Sequence, residues 1–149
     1  MSTLFKEYET RSNQAHFTKS FFNKLFMLRL MTIQGTVMPG VGEGSHYVNR
    51  YLDYFETTLG FTCYPGTLNL KLKDKINLNG HEKIQIVPKE SDLSPIDCYL
   101  ITIADQFDGA IVIPHKTRHG SEVIEVIASV NLRDALNLKD GDTLPLEFE

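Results

Sequence analysis

Basic residues are in short supply in this chain. Lysine and arginine number 15 against 19 aspartates and glutamates, a formal net charge of −4 over 149 residues. A nucleic-acid surface normally shows as a clear basic excess, so no nucleic-acid partner is expected. An anionic small molecule stays open, because a local site can oppose the sign of the whole. Cysteine is scarce as well. Cys63 and Cys98 match neither a metal-ligand nor a redox spacing, and two reduced thiols are the expectation. Long apolar runs are missing, which excludes a helical membrane span. The opening stretch MSTLFKEYETRSNQAH lacks the apolar core of a secretion signal. These absences point to a soluble cytoplasmic protein without a membrane partner.

What is present is ordinary globular composition, 42% hydrophobic and 23% charged, at a length that can bury a core without staples. Residues Phe17–Leu30, FTKSFFNKLFMLRL, place Phe17, Phe21, Phe22, Leu25 and Phe26 at roughly helical spacing. A helix docked on its own domain is expected there, with residues 1–30 as an N-terminal extension to a domain over 31–149. From Met31 the pattern turns β-branched and alternating, so MTIQGTVM reads as a strand. In HYVNRYLDYFETTLGF, residues Tyr51, Leu52, Phe55 and Leu59 share a helical face and Gly60 suits the position after its end. Either Ser45 or Asn49 could cap this helix; Asn49 is preferred, with His46–Val48 extended.

In PGTLNLKLK, alternation sets Leu68, Leu70 and Leu72 against Thr67, Asn69, Lys71 and Lys73. Further strands are expected at Lys83–Val87, Cys98–Ile103, Gly109–Pro114, Glu122–Ala128 and Thr143–Phe148, with NLRDALNLKDGD as a short helix and an Asp-Gly turn. Short strands between turn-rich spacers suggest a closed or nearly closed barrel.

Three stretches carry chemical signal. The first is GVGEGS, Gly40 to Ser45. It is no Walker A loop, since no Lys-Ser/Thr follows the last glycine, and Ser45 stands where a dinucleotide-binding fingerprint needs its third glycine. A tight turn accounts for the glycines. So does a nest of converging backbone N–H groups that grips phosphate. The second stretch is Thr67 and Asn69, whose neutral oxygens suit a Mg²⁺ that keeps waters and takes anionic ligands from a nucleotide; a polar strand edge is the plainer reading. The third is PHKTRHGSEVIEVIA. There Thr117 lies in a basic loop, and Glu125 interrupts an apolar strand, where a carboxylate either faces solvent or lines a pocket wall. His115 and His119 read as ordinary loop histidines.

The order of these stretches resembles a known family. GTVMPGVGEGSHYV, LGFTCYPGTLNLKL, GAIVIPHKTRHGSEVIEVIA and VNLRDALNLKDGDTLPLEF follow one another as in the archaeal-type CTP-dependent riboflavin kinases, from about Met31 to Phe148. The resemblance implies a mainly β fold, a small six-stranded β-barrel of the cradle-loop type with a few short helices. It implies phosphoryl transfer from CTP to the 5′-hydroxyl of riboflavin, giving FMN and CDP. The nucleotide would lie on Gly40, Val41, Gly42, Glu43, Gly44 and Ser45, and on Val130, Asn131, Leu132 and Arg133. Thr67 and Asn69 would ligate Mg²⁺, and Thr117 and Glu125 would contact the flavin. Arg133 is the candidate cation, with Lys71 and Lys73 behind it, and Glu125 the candidate for the catalytic base. The expected partners are these small molecules alone, bound by a monomer. Two other classes compete: an AbrB-like swapped-hairpin DNA-binding regulator, suggested by NLRDALNLKDGDTL, and a flavin- or nucleotide-binding module without catalysis.

Overall fold

The structure is a computed structural model that describes residues 32–40, 44–116 and 122–149, with the backbone alone described at 44–47. In chain order the elements are β1 (Thr32–Met38), α1 (Gly44–Leu59), β2 (Leu68–Leu72), β3 (Ile84–Ile86), β4 (Ile96–Ile103), β5 (Phe107–Pro114), β6 (Val123–Ala128), α2 (Leu132–Ala135) and β7 (Thr143–Phe148). The expected helix over Phe17–Leu30 lies outside the described residues.

The strands form one antiparallel sheet in the order β3-β4-β5-β6-β2-β1-β7, and β4 also pairs with β7. That last pairing closes a ring of six strands, β4-β5-β6-β2-β1-β7, with β3 attached outside it. The expected mainly β, six-stranded barrel is what the chain forms. β4 serves two partners on one edge: Ile96–Cys98 pair with β3, and Ile101–Ile103 pair with β7.

Alternation along each strand divides the apolar residues between two cores. One set fills the barrel. Val37, Leu70 and Ile124 form a cross-strand row, and Leu68, Val126, Ile111 and Tyr99 form the next; all are buried. The other set lies on the outer face, where Ile96, Cys98, Ala110, Val112 and Ile127 pack with Val48, Tyr51, Phe55 and Leu59 of α1. Burying each Leu, Ile, Val or Phe contributes about 1.5–3 kcal/mol, so covering the sheet on both sides supplies much of the folding energy.

Helix α1 begins at Gly44, so the preferred cap at Asn49 is wrong. Ser45 is inside the helix as well. Fully buried Val48 explains the difference: it stands three, seven and eleven residues before Tyr51, Phe55 and Leu59, which extends the apolar stripe upstream by one turn. At the other end Gly60 has φ +82° and donates its N–H to the Glu56 carbonyl, 3.3 Å away. Hydrogen bonds hold the flank of α1. The Tyr51 hydroxyl donates to the Ser94 carbonyl (2.8 Å), Tyr54 donates to Glu90 and accepts from the Lys89 N–H, and Arg50 pairs with Asp92 at 3.0 Å.

Two predictions come from this packing. Inside the barrel Gly109 makes room for a neighbour: a Cβ there would meet Ile103 Cδ1 at 2.4 Å and the Ile127 carbonyl oxygen at 2.6 Å. The carbonyl belongs to a paired strand and cannot yield, so Gly109→Ala should cost about 1–3 kcal/mol, read as a lowered denaturation midpoint. The buried thiols supply the second. Burial, with Glu56 nearby, pushes Cys63 up to about 11. Burial, with the charges of Asp97 and Cys63, pushes Cys98 up to about 12. A group whose folded pKa is raised contributes stability below its unfolded pKa and loses it as pH rises through the folded value. Stability should therefore fall from about pH 9 upward, and in a thiol-labelling assay at pH 8 neither cysteine should react until the protein is denatured.

Candidate active site

The β2–β6 pair brings the sequence-predicted polar residues together. Asn69 stands opposite Met38 of β1 on one side and opposite Glu125 of β6 on the other. Glu125 in turn faces Val112, and Val112 faces Cys98. Directly paired residues project to the same face of a sheet. Val112 and Cys98 pack under α1, so Asn69 and Glu125 lie on that outer face, beside the helix layer.

Asn69 is a departure from a plain strand edge. Only 5% of its surface is exposed, and it is the buried polar residue among the described ones. Its Oδ1 is buried with no hydrogen-bond partner among the described residues. A buried acceptor left unpaired costs about 1–3 kcal/mol, which marks a place where a ligand atom can return the lost interaction. Lys71, two residues on, is exposed. Thr67 is half-buried and sits immediately before β2 rather than in it. Glu125 is half-buried, between the solvent-facing and pocket-wall alternatives.

The second group gathers at the barrel end where β1 finishes and α1 starts. Gly40 and Gly44 flank the proposed nest, whose Val41, Gly42 and Glu43 lie outside the described residues, as does the Ser45 side chain. Since α1 starts at Gly44, the positive end of its dipole lies at this loop. Segment 130–133 approaches the same end. Asn131 caps α2, its Oδ1 accepting from the Asp134 N–H at 3.3 Å. Arg133 donates to the Met38 carbonyl at 3.2 Å and pairs with Asp140 at 2.9 Å. The candidate cation is therefore partly neutralised and ties α2 to the end of β1. Sequence reasoning did not single out Tyr64. Its hydroxyl accepts from Asn131 Nδ2 at 3.0 Å, and the only hint was an aromatic residue next to a Pro-Gly turn.

At the opposite end of the barrel, His115 Nε2 lies 3.1 Å from Asp97 Oδ1, and Gln85 Nε2 donates to the same oxygen at 3.2 Å. Burial works against the charged form of Asp97. The hydrogen bonds from His115 and Gln85, with the charges of His115 and Lys83, outweigh it and hold the carboxyl below its usual range. This cluster fastens β3, β4 and β5 where the loop after β5 departs. Thr117 and His119 of that loop lie outside the described residues. Among the described residues no three His, Cys, Asp or Glu converge as a metal site.

A family model described as a domain of unknown function, DUF120, and labelled CTP-dep_RFKase, matches residues 37–148. The chain belongs to the CTP-dependent riboflavin kinase domain family. Both polar groups described above fall within the matched span. The chain is also similar to proteins named riboflavin kinase. With that of Pyrococcus abyssi it shares 40% identity over 122 residues, 77% of this chain and 57% of the relative. With that of Methanobrevibacter smithii it shares 36% over 124 residues, 79% of this chain and 100% of the relative. With that of Methanocorpusculum labreanum it shares 39% over 146 residues, 89% and 65% respectively. The chain thus spans little more than half the length of the Pyrococcus relative. None of its described helices is long and apolar enough to cross a membrane.

The orphaned amide oxygen yields a direct test of the site's strain. Asn69→Leu, close in shape and without the unpaired oxygen, should stabilise the ligand-free protein by about 1–3 kcal/mol, seen as a raised thermal midpoint. A lowered midpoint would mean that the amide is satisfied after all.

Proposed function

We propose that this chain phosphorylates riboflavin: the 5′-hydroxyl oxygen attacks the γ-phosphorus of CTP, the bond from that phosphorus to the bridging oxygen breaks, and FMN and CDP leave. The observation that carries this reading is the buried, unpartnered Asn69 oxygen beside Glu125 in a chain of the CTP-dependent riboflavin kinase family. The names of the relatives agree with it.

Phosphoryl transfer needs positioning and charge neutralisation more than covalent participation by the protein. Residues 40–45 hold the triphosphate through main-chain amides, aided by the N-terminus of α1, and residues 130–133 close over the nucleotide. Thr67 and Asn69 would hold Mg²⁺, and the donor set fits. Neutral oxygens, one of them buried and unpaired, suit a hard cation whose negative ligands arrive with the substrate. When bound, Mg²⁺ offsets the charge on the transferring phosphoryl group. Glu125, directly opposite Asn69, accepts the proton of the riboflavin hydroxyl and with Thr117 orients the flavin. Arg133 positions rather than neutralises, since Asp140 already occupies it. In this reading the kinase domain is 31–149, and the protein works as a cytoplasmic monomer.

Incubating the protein with riboflavin, Mg²⁺ and each of the four nucleoside triphosphates in turn tests the proposal. FMN should form with CTP and be lost on chelation of the metal. Thr67→Ala combined with Asn69→Ala should abolish metal-dependent turnover while the fold, followed by circular dichroism, is kept. An unchanged rate in that double variant would refute the metal assignment, and no FMN with any nucleotide would refute the activity.

A further inference from the structure

One aromatic side chain at the nucleotide end has no role in the reading above. Tyr64 keeps 40% of its surface exposed, and with Val87 it makes up the large exposed hydrophobics among the described residues. An exposed tyrosine alone means little. This one is held at its backbone and at its hydroxyl. Its N–H donates to the Ala128 carbonyl at 2.8 Å, its own carbonyl accepts from the Gly66 N–H at 2.9 Å, and its hydroxyl accepts from Asn131 Nδ2 at 3.0 Å. The ring runs close to Gly66, where a Cβ would come within 3.1 Å of ring atom Cε1. One edge of the ring therefore runs close beside Gly66, and its far end is tied by the hydroxyl. What remains uncovered is a fixed apolar surface.

Its position says what it faces. Asn131, its partner, stands at the start of the segment that Arg133 ties to the Met38 carbonyl at the end of β1. Two residues after Gly66, β2 begins and leads to Asn69. Tyr64 thus sits at the barrel end of the glycine loop. The loop that carries Thr117 leaves β5 at the opposite end, and Glu125 lies between them along the sheet. In the reading above the flavin contacts are Thr117 and Glu125, whereas Asn131, to which Tyr64 is hydrogen-bonded, belongs to the nucleotide segment.

We propose that the Tyr64 ring is the platform on which the base of the donor nucleotide stacks. The inference rests on the nucleotide reading given above and adds a residue that governs affinity for the base. A ring already immobilised by its hydroxyl and its backbone loses little freedom on binding, which is the condition under which stacking contributes most.

The chain contains no tryptophan, so Tyr64→Trp introduces a single reporter at this position. Titration with CDP, without riboflavin, should quench its emission, whereas pyrophosphate should leave it unchanged. Tyr64→Ala should weaken CDP binding by about tenfold or more, with the KM for riboflavin unmoved, and Tyr64→Phe should recover most of that loss. The proposal is overturned if CDP binds the wild-type chain, yet the reporter does not respond and Tyr64→Ala keeps wild-type affinity. It is overturned also if the alanine variant loses affinity for riboflavin instead. A wild-type chain that binds no CDP at all would remove the nucleotide reading and this one together.

Discussion

A strand that buries one face has no freedom left in choosing the other. Leu68, Leu70 and Leu72 must fill the barrel, so the residue between the first two must project outward, and that residue is Asn69. The same parity rule carries Ile124 and Val126 inward and leaves Glu125 directly across from the amide. Elsewhere on this outer face the strands present Cys98, Ala110, Val112 and Ile127 to α1. The polar pair is thus set into the edge of an apolar layer by the pleat itself. A one-residue slip of either β2 or β6 would send its polar residue into the barrel core, where it could not be tolerated.

Much of this was legible in the sequence, because it depends on local periodicity. The leucine alternation of β2, the extent of β7 and the Gly60 stop of α1 all follow from spacing. The start of α1 was misread because Ser45 and Asn49 are attractive caps, whereas Val48 reads as extended until its burial beside Tyr51 and Phe55 is known; tertiary packing overrode the local preference. For Asn69 the face was readable, but its burial was not, since that depends on β1 and β6 lying on either side. Nor was the pairing of Arg133 with Asp140 visible. Seven residues separate them, and the Lys139–Asp142 turn, closed at 3.0 Å, brings the carboxylate back. Tyr64 escaped notice because its partner is 67 residues away.

The electrostatic layout is frugal for chemistry on a triphosphate. The chain is acidic overall, and Arg133, beside the end of β1, is already engaged by an aspartate. Under the proposed reading, attraction would come from amide dipoles, from the end of α1 and from the metal that arrives with the nucleotide. Such groups act at short range and in fixed directions, so they select the shape of an anion more than its charge.

The shared edge of β4 reaches beyond architecture. β3 takes Ile96–Cys98 and β7 takes Ile101–Ile103, with only Tyr99 and Leu100 between the two pairings. Neither neighbour can slide toward the other without running into it. The edge thereby works as a ruler that fixes the stagger around the whole ring, and with it the level at which each strand delivers its outward-facing residues.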